Sequence, residues 1–94
     1  MEDFVLPKHM INTYVSRRAD DLAKLDQSLN SGSVAEFNRI GHQLLGNARN
    51  YGFPDLEVLA RKMESLSAEN LKTEGPQIYS DFSKWIAAAK LNFS

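Results

Sequence analysis

The sequence predicts an all-α protein, an antiparallel up-and-down four-helix bundle formed as a single domain over residues 1–94. Three observations support this. Apolar residues recur in four separate stretches at the spacing that places them on one face of a helix. Short segments rich in glycine, proline and serine separate most of these stretches, and short connections favour antiparallel neighbours. No window shows the period-two alternation of a half-buried β-strand.

The first predicted helix follows Pro7, because proline fits the first turn of a helix, where its missing N–H costs nothing. Arg18 is the polar exception in its apolar series, and the run Asn30-Ser31-Gly32 ends it with turn-forming residues. The residues before Pro7 leave room for a short extra N-terminal helix. The apolar positions of this helix are Ile11, Val15, Leu22, Leu25 and Leu29.

The second helix is predicted to begin with a capping box. In that motif Ser33 is the N-cap and the Glu36 side chain reaches back to the free backbone N–H groups. Gly52 marks its end, since glycine adopts the left-handed conformation that terminates many helices. The apolar positions of this helix are Val34, Phe37, Ile40, Leu44, Ala48 and Tyr51.

Two prolines are interpreted as the starts of the last two helices. Pro54 begins the third helix, the polar residues 67–75 with Gly75 form a loop, and Pro76 begins the fourth helix. The apolar positions are Leu56, Leu59, Ala60, Met63 and Leu66 in the third helix, and Ile78, Phe82, Trp85, Ile86 and Ala89 in the fourth.

Composition narrows the classes of function. The net charge is −1, so no strong field attracts nucleic acid or anionic lipid. There is no cysteine, which excludes disulfides and cysteine-based zinc sites. No apolar run approaches the roughly 18 residues that span a membrane, and the acidic N-terminus lacks a signal-peptide pattern. We therefore expect a cytoplasmic monomer that binds neither nucleic acid nor membranes.

The two histidines lie in different contexts. His9, near the start of the first helix, has no evident partner and is interpreted as a solvated surface residue. His42 lies in the middle of the second helix, roughly 140° around the helix from the centre of the apolar stripe, and is expected to face outward. The same side of that helix carries Ala35, Asn38, Arg39, Gly46 and Arg49.

Gly46 lies one turn beyond His42. Glycine inside a helix costs about 1 kcal/mol relative to alanine, so its presence needs a reason. A side chain at position 46 would lean over His42, and glycine leaves that space clear for a bulky reactant. The alternative is that Gly46 accommodates packing, as we expect for Gly41, which lies nearer the core stripe.

The run His42-Gln43-Leu44-Leu45-Gly46, followed by Gly52, resembles the signature of histidine phosphotransfer (HPt) domains of bacterial, fungal and plant phosphorelays. That signature has a histidine, a core leucine two residues later, a lysine, a glycine, and a second glycine ten residues after the histidine. The close resemblance covers residues 37–64. Its further matching positions are Phe37, Ile40, Leu56, Leu59 and the pair Met63-Glu64.

The resemblance implies a phosphorelay intermediate that carries a phosphoryl group on His42 and exchanges it with an aspartate of a response-regulator receiver domain. A sensor histidine kinase is the other implied partner. Magnesium is expected on the receiver, and no cofactor is expected on this chain. The sequence contains no glycine-rich phosphate loop with a P-loop lysine, so we expect a carrier without autonomous kinase activity.

Several residues around His42 are candidates for supporting roles. Arg39 and Arg49 project to its side and are candidates for neutralising the phosphoryl group, or are ordinary solvated charges. Ala35, Asn38 and Leu45 are candidates for docking the partner, and Leu45 stands where the family usually has lysine.

Three alternatives remain open. The first is an HPt-like interaction module that lost phosphotransfer, which the leucine at position 45 favours. The second is the dimerisation helix pair of a sensor kinase. Gln43 and Asn47 fit it poorly, because an acidic residue and then a proline normally follow the histidine there. The third is a metal-binding bundle, and two isolated histidines do not supply the ligands for it.

Overall fold

The computed structural model describes the backbone of residues 8–93 and the side chains of residues 12–91. It contains four helices, α1 (Lys8–Ser31), α2 (Ala35–Tyr51), α3 (Pro54–Ser65) and α4 (Leu71–Phe93), and no strand in the part it describes. The predicted all-α class is confirmed. Pro7 and the possible extra N-terminal helix lie outside the described residues.

The helices form a closed ring in which each contacts its two neighbours, α1 with α2, α2 with α3, α3 with α4, and α4 with α1. The connections between consecutive helices are short, so successive helices run in opposite directions. The most extensive contacts join α2 to α3 and α1 to α4. The chain is therefore built as two helix pairs, and the shorter pair, α2 with α3, carries His42.

The four apolar stripes close one core. Phe37, Ile40 and Leu44 project into it from α2 and are fully buried. Each such side chain contributes about 1.5–3 kcal/mol through removal from water, so burial of this face fixes which side of α2 faces solvent. Other fully buried members of the core are Val15, Leu25, Leu56, Met63 and Phe82.

The predicted capping box at the start of α2 is wrong. The helix begins at Ala35 with Val34 in the N-cap position, and no side chain caps it there. The Ser33 hydroxyl accepts a long hydrogen bond from the Ala35 N–H, at 3.4 Å. Glu36 turns along the helix instead and holds Arg39 with both carboxylate oxygens, at 2.8 and 2.9 Å. A charge-assisted, two-point contact is stronger than one reach back to a backbone N–H.

The expected helix ends are present at both glycines. Gly32 and Gly52 adopt left-handed conformations, with φ of 76° and 74°. At the end of α2 the N–H groups of Gly52 and Phe53 both donate to the Ala48 carbonyl. The turn from α2 to α3 is consequently only two residues long.

The predicted start of the last helix at Pro76 is also wrong. Helix α4 begins at Leu71, so the loop is confined to residues 66–70, and Gly75 and Pro76 lie inside the helix. Buried Leu71 anchors this first turn in the core. Gly75 is a packing position, since a Cβ there would lie 2.7 Å from Cδ2 of Leu29 on α1. Pro76 is exposed, so its ring faces solvent.

A polar cluster joins α1 to α2. The Arg18 Nη1 donates to Oδ1 of Asn47 at 3.1 Å, and the guanidinium lies over the Tyr14 ring, 4.6 Å from its centre. Nε of Arg18 is 3.1 Å from Asp21 Oδ2, an ion pair without hydrogen-bond geometry. Burial raises the pKa of the Asp21 carboxyl. Arg18, the polar residue in the apolar series of α1, therefore links α1 to α2.

Within the described residues, no helix is both long enough and apolar enough to cross a membrane.

Candidate functional site

His42 projects from α2 into solvent. Its side chain is 78% exposed, and its Nδ1 lies 2.6 Å from Oε2 of Glu64 on α3. Glu64 is half-buried and reaches the imidazole from the neighbouring helix. The site is therefore an imidazole held from one side by a carboxylate, and no side chain from residues 12–91 is hydrogen-bonded to its other ring nitrogen.

The Glu64 contact determines what the two ring nitrogens can do. An ionised carboxylate only accepts hydrogen bonds, so Nδ1 must carry the hydrogen that lies between them. In a neutral imidazole the proton is then absent from Nε2, and that nitrogen keeps its lone pair. The arrangement presents a nucleophilic Nε2 to solvent. It also lets Glu64 stabilise the positive charge that develops on the ring when Nε2 forms a new bond.

Gly41 brings α3 close enough for this contact. A Cβ at position 41 would lie 2.5 Å from the backbone nitrogen of Glu64, 2.7 Å from Cβ of Met63 and 2.8 Å from the Ala60 carbonyl oxygen. No real Cβ fits at such distances, because two of these atoms belong to the backbone of α3. The expectation that Gly41 serves close helix packing is confirmed, and the packing places Glu64 beside His42.

Gly46 has a different environment. A Cβ there would meet no atom of the described residues within 4 Å, and the residue is exposed. Packing against the described part of the chain therefore does not explain the glycine. The open surface lies one helical turn beyond His42, on the same face of α2.

The two candidate arginines flank the site without touching it. Arg39, one turn before His42, is held by Glu36 and also donates a long hydrogen bond, 3.4 Å, to Gln43. The hydrogen bond from Arg39 lowers the pKa of the Glu36 carboxyl. Arg49, two turns after His42, has its Nε 3.8 Å from Glu57 Oε2.

The same Glu57 oxygen accepts a hydrogen bond of 2.9 Å from Arg61. Two arginines therefore share one carboxylate at the far end of this face.

The three candidate docking residues fall in different places. Ala35 is exposed, at the first turn of α2. Leu45 is half-buried and packs against the core. Asn38 is half-buried, and the two hydrogens of its amide nitrogen are shared among three carbonyls, those of Met63, Glu64 and Leu66, at and just beyond the end of α3. Their part in docking stays a prediction.

Sequence reasoning missed Glu64 as a partner of His42. The spacing of the two residues about the turn could have indicated the contact. His42 lies ten residues before Gly52 and Glu64 lies eleven residues after Phe53, so the two are nearly equidistant from the turn. Two antiparallel helices joined by so short a turn place such positions side by side. His9, the other histidine, has its side chain outside the described part.

No group of three or more histidine, aspartate or glutamate side chains is placed to hold a metal ion within the residues described.

The family model of the Hpt domain matches residues 9–90, which is most of the chain. No curated protein and no solved structure matches it. The matched range includes all of α2 and α3, and with them both His42 and Glu64.

Proposed function

The chain belongs to the family of Hpt domains, the phosphocarriers of phosphorelays, and from this we propose that it carries a phosphoryl group on His42 and exchanges it with an aspartate of a response-regulator receiver domain. The observation that supports the choice of residue is the exposed imidazole whose Nδ1 is bonded to Glu64, which leaves Nε2 free.

The proposed transfer is a displacement at phosphorus. The lone pair of Nε2 forms the N–P bond while the bond from phosphorus to the aspartyl oxygen breaks, and the aspartate leaves as a carboxylate. The imidazole ring of His42 becomes positively charged, and Glu64 stabilises that charge through the hydrogen on Nδ1. The reverse reaction follows the same path, so the carrier can both receive and donate.

The chain itself supplies positioning and access. Phosphoryl transfer depends on in-line approach and on neutralised charge more than on acid–base groups of the protein. The exposed ring and the open surface at Gly46 allow a receiver to approach Nε2. Magnesium is expected on the receiver. We propose that the chain has no kinase activity of its own and that the exchange takes place in the cytoplasm, with a sensor kinase or a receiver as donor.

Two arginines are proposed to support the phosphorylated state. A phosphoryl group adds about −1.5 to −2 charges on the face between them. Arg39 is closer to His42 along the helix, but its guanidinium is engaged by Glu36. Arg49 is only loosely paired, at 3.8 Å from Glu57. Ala35, Asn38 and Leu45 stay proposed docking positions on the same side of α2.

A second candidate function is an interaction module that keeps the bundle but does not transfer phosphate. The observation that favours it is Leu45, which replaces the family's lysine and packs against the core, so position 45 brings no charge to the site. The two functions differ in a single property, the presence of phosphate on His42.

The test is phosphoryl uptake from a panel of phosphorylated receiver domains. We expect at least one receiver to transfer phosphate to the protein, and we expect the bond to be acid-labile, as an N–P bond is. His42→Gln should abolish uptake with the fold unchanged by circular dichroism. If no receiver transfers phosphate, or if His42→Gln still accepts it on histidine, the proposed function is wrong.

A further inference from the structure

We propose that Asn38 is a positioning residue for His42. Its amide fixes the C-terminal end of α3, and that end holds the Glu64 carboxylate on Nδ1 of the imidazole. The consequence for phosphoryl transfer rests on the proposed function. The consequence for the imidazole of the unphosphorylated protein does not.

The Asn38 amide is an inter-helix clamp. Its nitrogen lies within hydrogen-bond distance of the carbonyl oxygens of Met63 at 3.0 Å, Glu64 at 3.1 Å and Leu66 at 2.9 Å. The nitrogen has two hydrogens, so one of them is shared between two of these oxygens. Helix α3 ends at Ser65, and the last carbonyls of a helix have no partner within it. The Met63 carbonyl also accepts a hydrogen bond from the Leu66 N–H, at 3.4 Å. A side chain from α2 thus adds a second donor there and supplies a donor to the carbonyls of Glu64 and Leu66.

The backbone of Glu64 is consequently held at two points. Its carbonyl oxygen accepts from Asn38, and its nitrogen lies against Gly41, where a Cβ would come within 2.5 Å. Both contacts come from α2, where Asn38 and Gly41 lie about one helical turn apart. With its backbone fixed against α2, the Glu64 side chain has only its own rotations left, and these carry Oε2 to within 2.6 Å of Nδ1.

The Asn38 clamp and the His42 ring lie on the same helix, α2. Asn38 and His42 are four residues apart on α2, so both project from the same face of a rigid helix. A helix end without partners for its carbonyls frays more readily, and fraying here would move Glu64. Asn38 therefore determines whether the hydrogen is held on Nδ1, which in turn decides whether Nε2 is the nucleophilic nitrogen.

The test uses variants of the whole chain. Asn38→Asp keeps the size of the side chain, but its carboxylate cannot donate and is repelled by the three carbonyls. Asn38→Ser keeps one donor on a shorter side chain and serves if the aspartate variant fails to fold. Glu64→Ala serves as the reference, because it shows the tautomer mixture of a His42 ring that has lost its carboxylate partner.

Asn47→Ala is the matched control. Asn47 is also an asparagine on α2, but its side chain accepts from Arg18 on α1, on the far side from Glu64. The control loses an inter-helix hydrogen bond and some stability without altering the end of α3.

The first readout is the tautomer of His42 in unphosphorylated protein, from the ¹⁵N chemical shifts of its two ring nitrogens. We expect the hydrogen on Nδ1 in the natural protein and in Asn47→Ala. In Asn38→Asp, and to a lesser degree in Asn38→Ser, we expect a shift toward the mixture seen in Glu64→Ala. A folded Asn38 variant that keeps the tautomer of the natural protein would overturn the proposal.

The second readout is single-turnover transfer from a phosphorylated receiver. We expect Asn38→Asp to be slower by about three- to tenfold, which corresponds to about 0.7–1.4 kcal/mol in the barrier, and Asn47→Ala to be unchanged. If no protein of the set accepts phosphate while the tautomer still shifts, the proposed function fails and the positioning role of Asn38 stands. Equal transfer rates in a variant with a shifted tautomer would remove the link from Asn38 to reactivity.

Discussion

At the scale of single residues, the site separates two tasks between the nitrogens of one ring. Nδ1 of His42 is occupied by Glu64, and Nε2 is exposed to a reactant. Because the ring is exposed to solvent, charged side chains near it interact only weakly with a phosphoryl group. An interaction with a phosphoryl group is screened in a solvated site, so no single charge on this chain is expected to dominate the transfer rate.

A substitution at Leu45 tests how much one added charge changes the transfer rate. A lysine at this position can extend its ammonium toward the phosphoryl oxygens, and leucine cannot. We predict that Leu45→Lys raises the single-turnover transfer rate by about tenfold or less, which corresponds to at most about 1.4 kcal/mol. Stability should fall slightly, because Leu45 packs against the core, although a lysine stem covers part of the same surface.

The comparison variants are Arg39→Ala and Arg49→Ala, each of which should lower the rate if that arginine replaces the missing lysine. A Leu45→Lys protein that folds normally but transfers more slowly would show that Leu45 contacts the receiver.

Asp21 gives a pH-dependent prediction away from the site. Burial raises the pKa of its carboxyl, and the Arg18 guanidinium only partly opposes that. The folded state then binds the proton more tightly than the unfolded state. This residue's contribution to stability therefore falls as pH rises from the ordinary aspartate value of 3.8 through the raised folded value.

We expect Asp21→Asn to gain in stability relative to the natural protein as pH rises through that window, in urea unfolding at a series of pH values. A stability difference that stays constant, or that moves the other way, would mean that the ion pair with Arg18 outweighs the cost of burial.

At the scale of elements, the α2–α3 hairpin sets the geometry of the site through two glycines with opposite surroundings. Gly41 lies against the backbone of α3, and Gly46 faces open space. The helix gains about 1 kcal/mol from replacing either glycine with alanine. Only at position 41 must the added methyl group displace a neighbouring helix.

We predict that Gly46→Ala raises the free energy of unfolding by up to about 1 kcal/mol. Gly41→Ala should lower it, because overpacking typically costs about 1–3 kcal/mol and the opposing atoms of α3 are partly backbone. The measurement is chemical unfolding of both variants, with the His42 ring tautomer as a second probe. A Gly41→Ala protein as stable as Gly46→Ala would contradict the close helix contact.

The outward direction of His42 and the packing role of Gly41 were predictable from the helical wheel of α2 alone, because both depend on one helix and its apolar stripe. The contact from Glu64 depends on the register between two helices, which a single-helix pattern does not contain. Pro76 misled the interpretation because proline is most common in the first turn of a helix. Gly75 lies inside α4 because the helix packs closely against Leu29 on α1 at this position. That contact joins distant parts of the chain, so the local sequence does not reveal it.

At the scale of the whole molecule, the two helix pairs differ in what they contribute. Helices α1 and α4 are the longest, at 24 and 23 residues, and pack against each other. Helices α2 and α3 supply His42, Glu64, Gly46 and the flanking arginines. The bundle therefore works as a rigid support for one exposed ring. A carrier of this kind needs a partner to deliver the phosphoryl group and another to remove it.

The identity of the phosphorylated atom tests most directly whether His42 is the phosphoryl carrier. The protein is phosphorylated by a receiver, and the N–P bond is located by NMR of ¹⁵N-labelled protein, with ATP and magnesium alone as the control without a donor. We predict phosphate on Nε2 of His42 after incubation with the receiver, and none with ATP alone. Phosphate on Nδ1, on another residue, or nowhere in the protein would contradict the assignment of Nε2 of His42 as the phosphoryl-accepting atom.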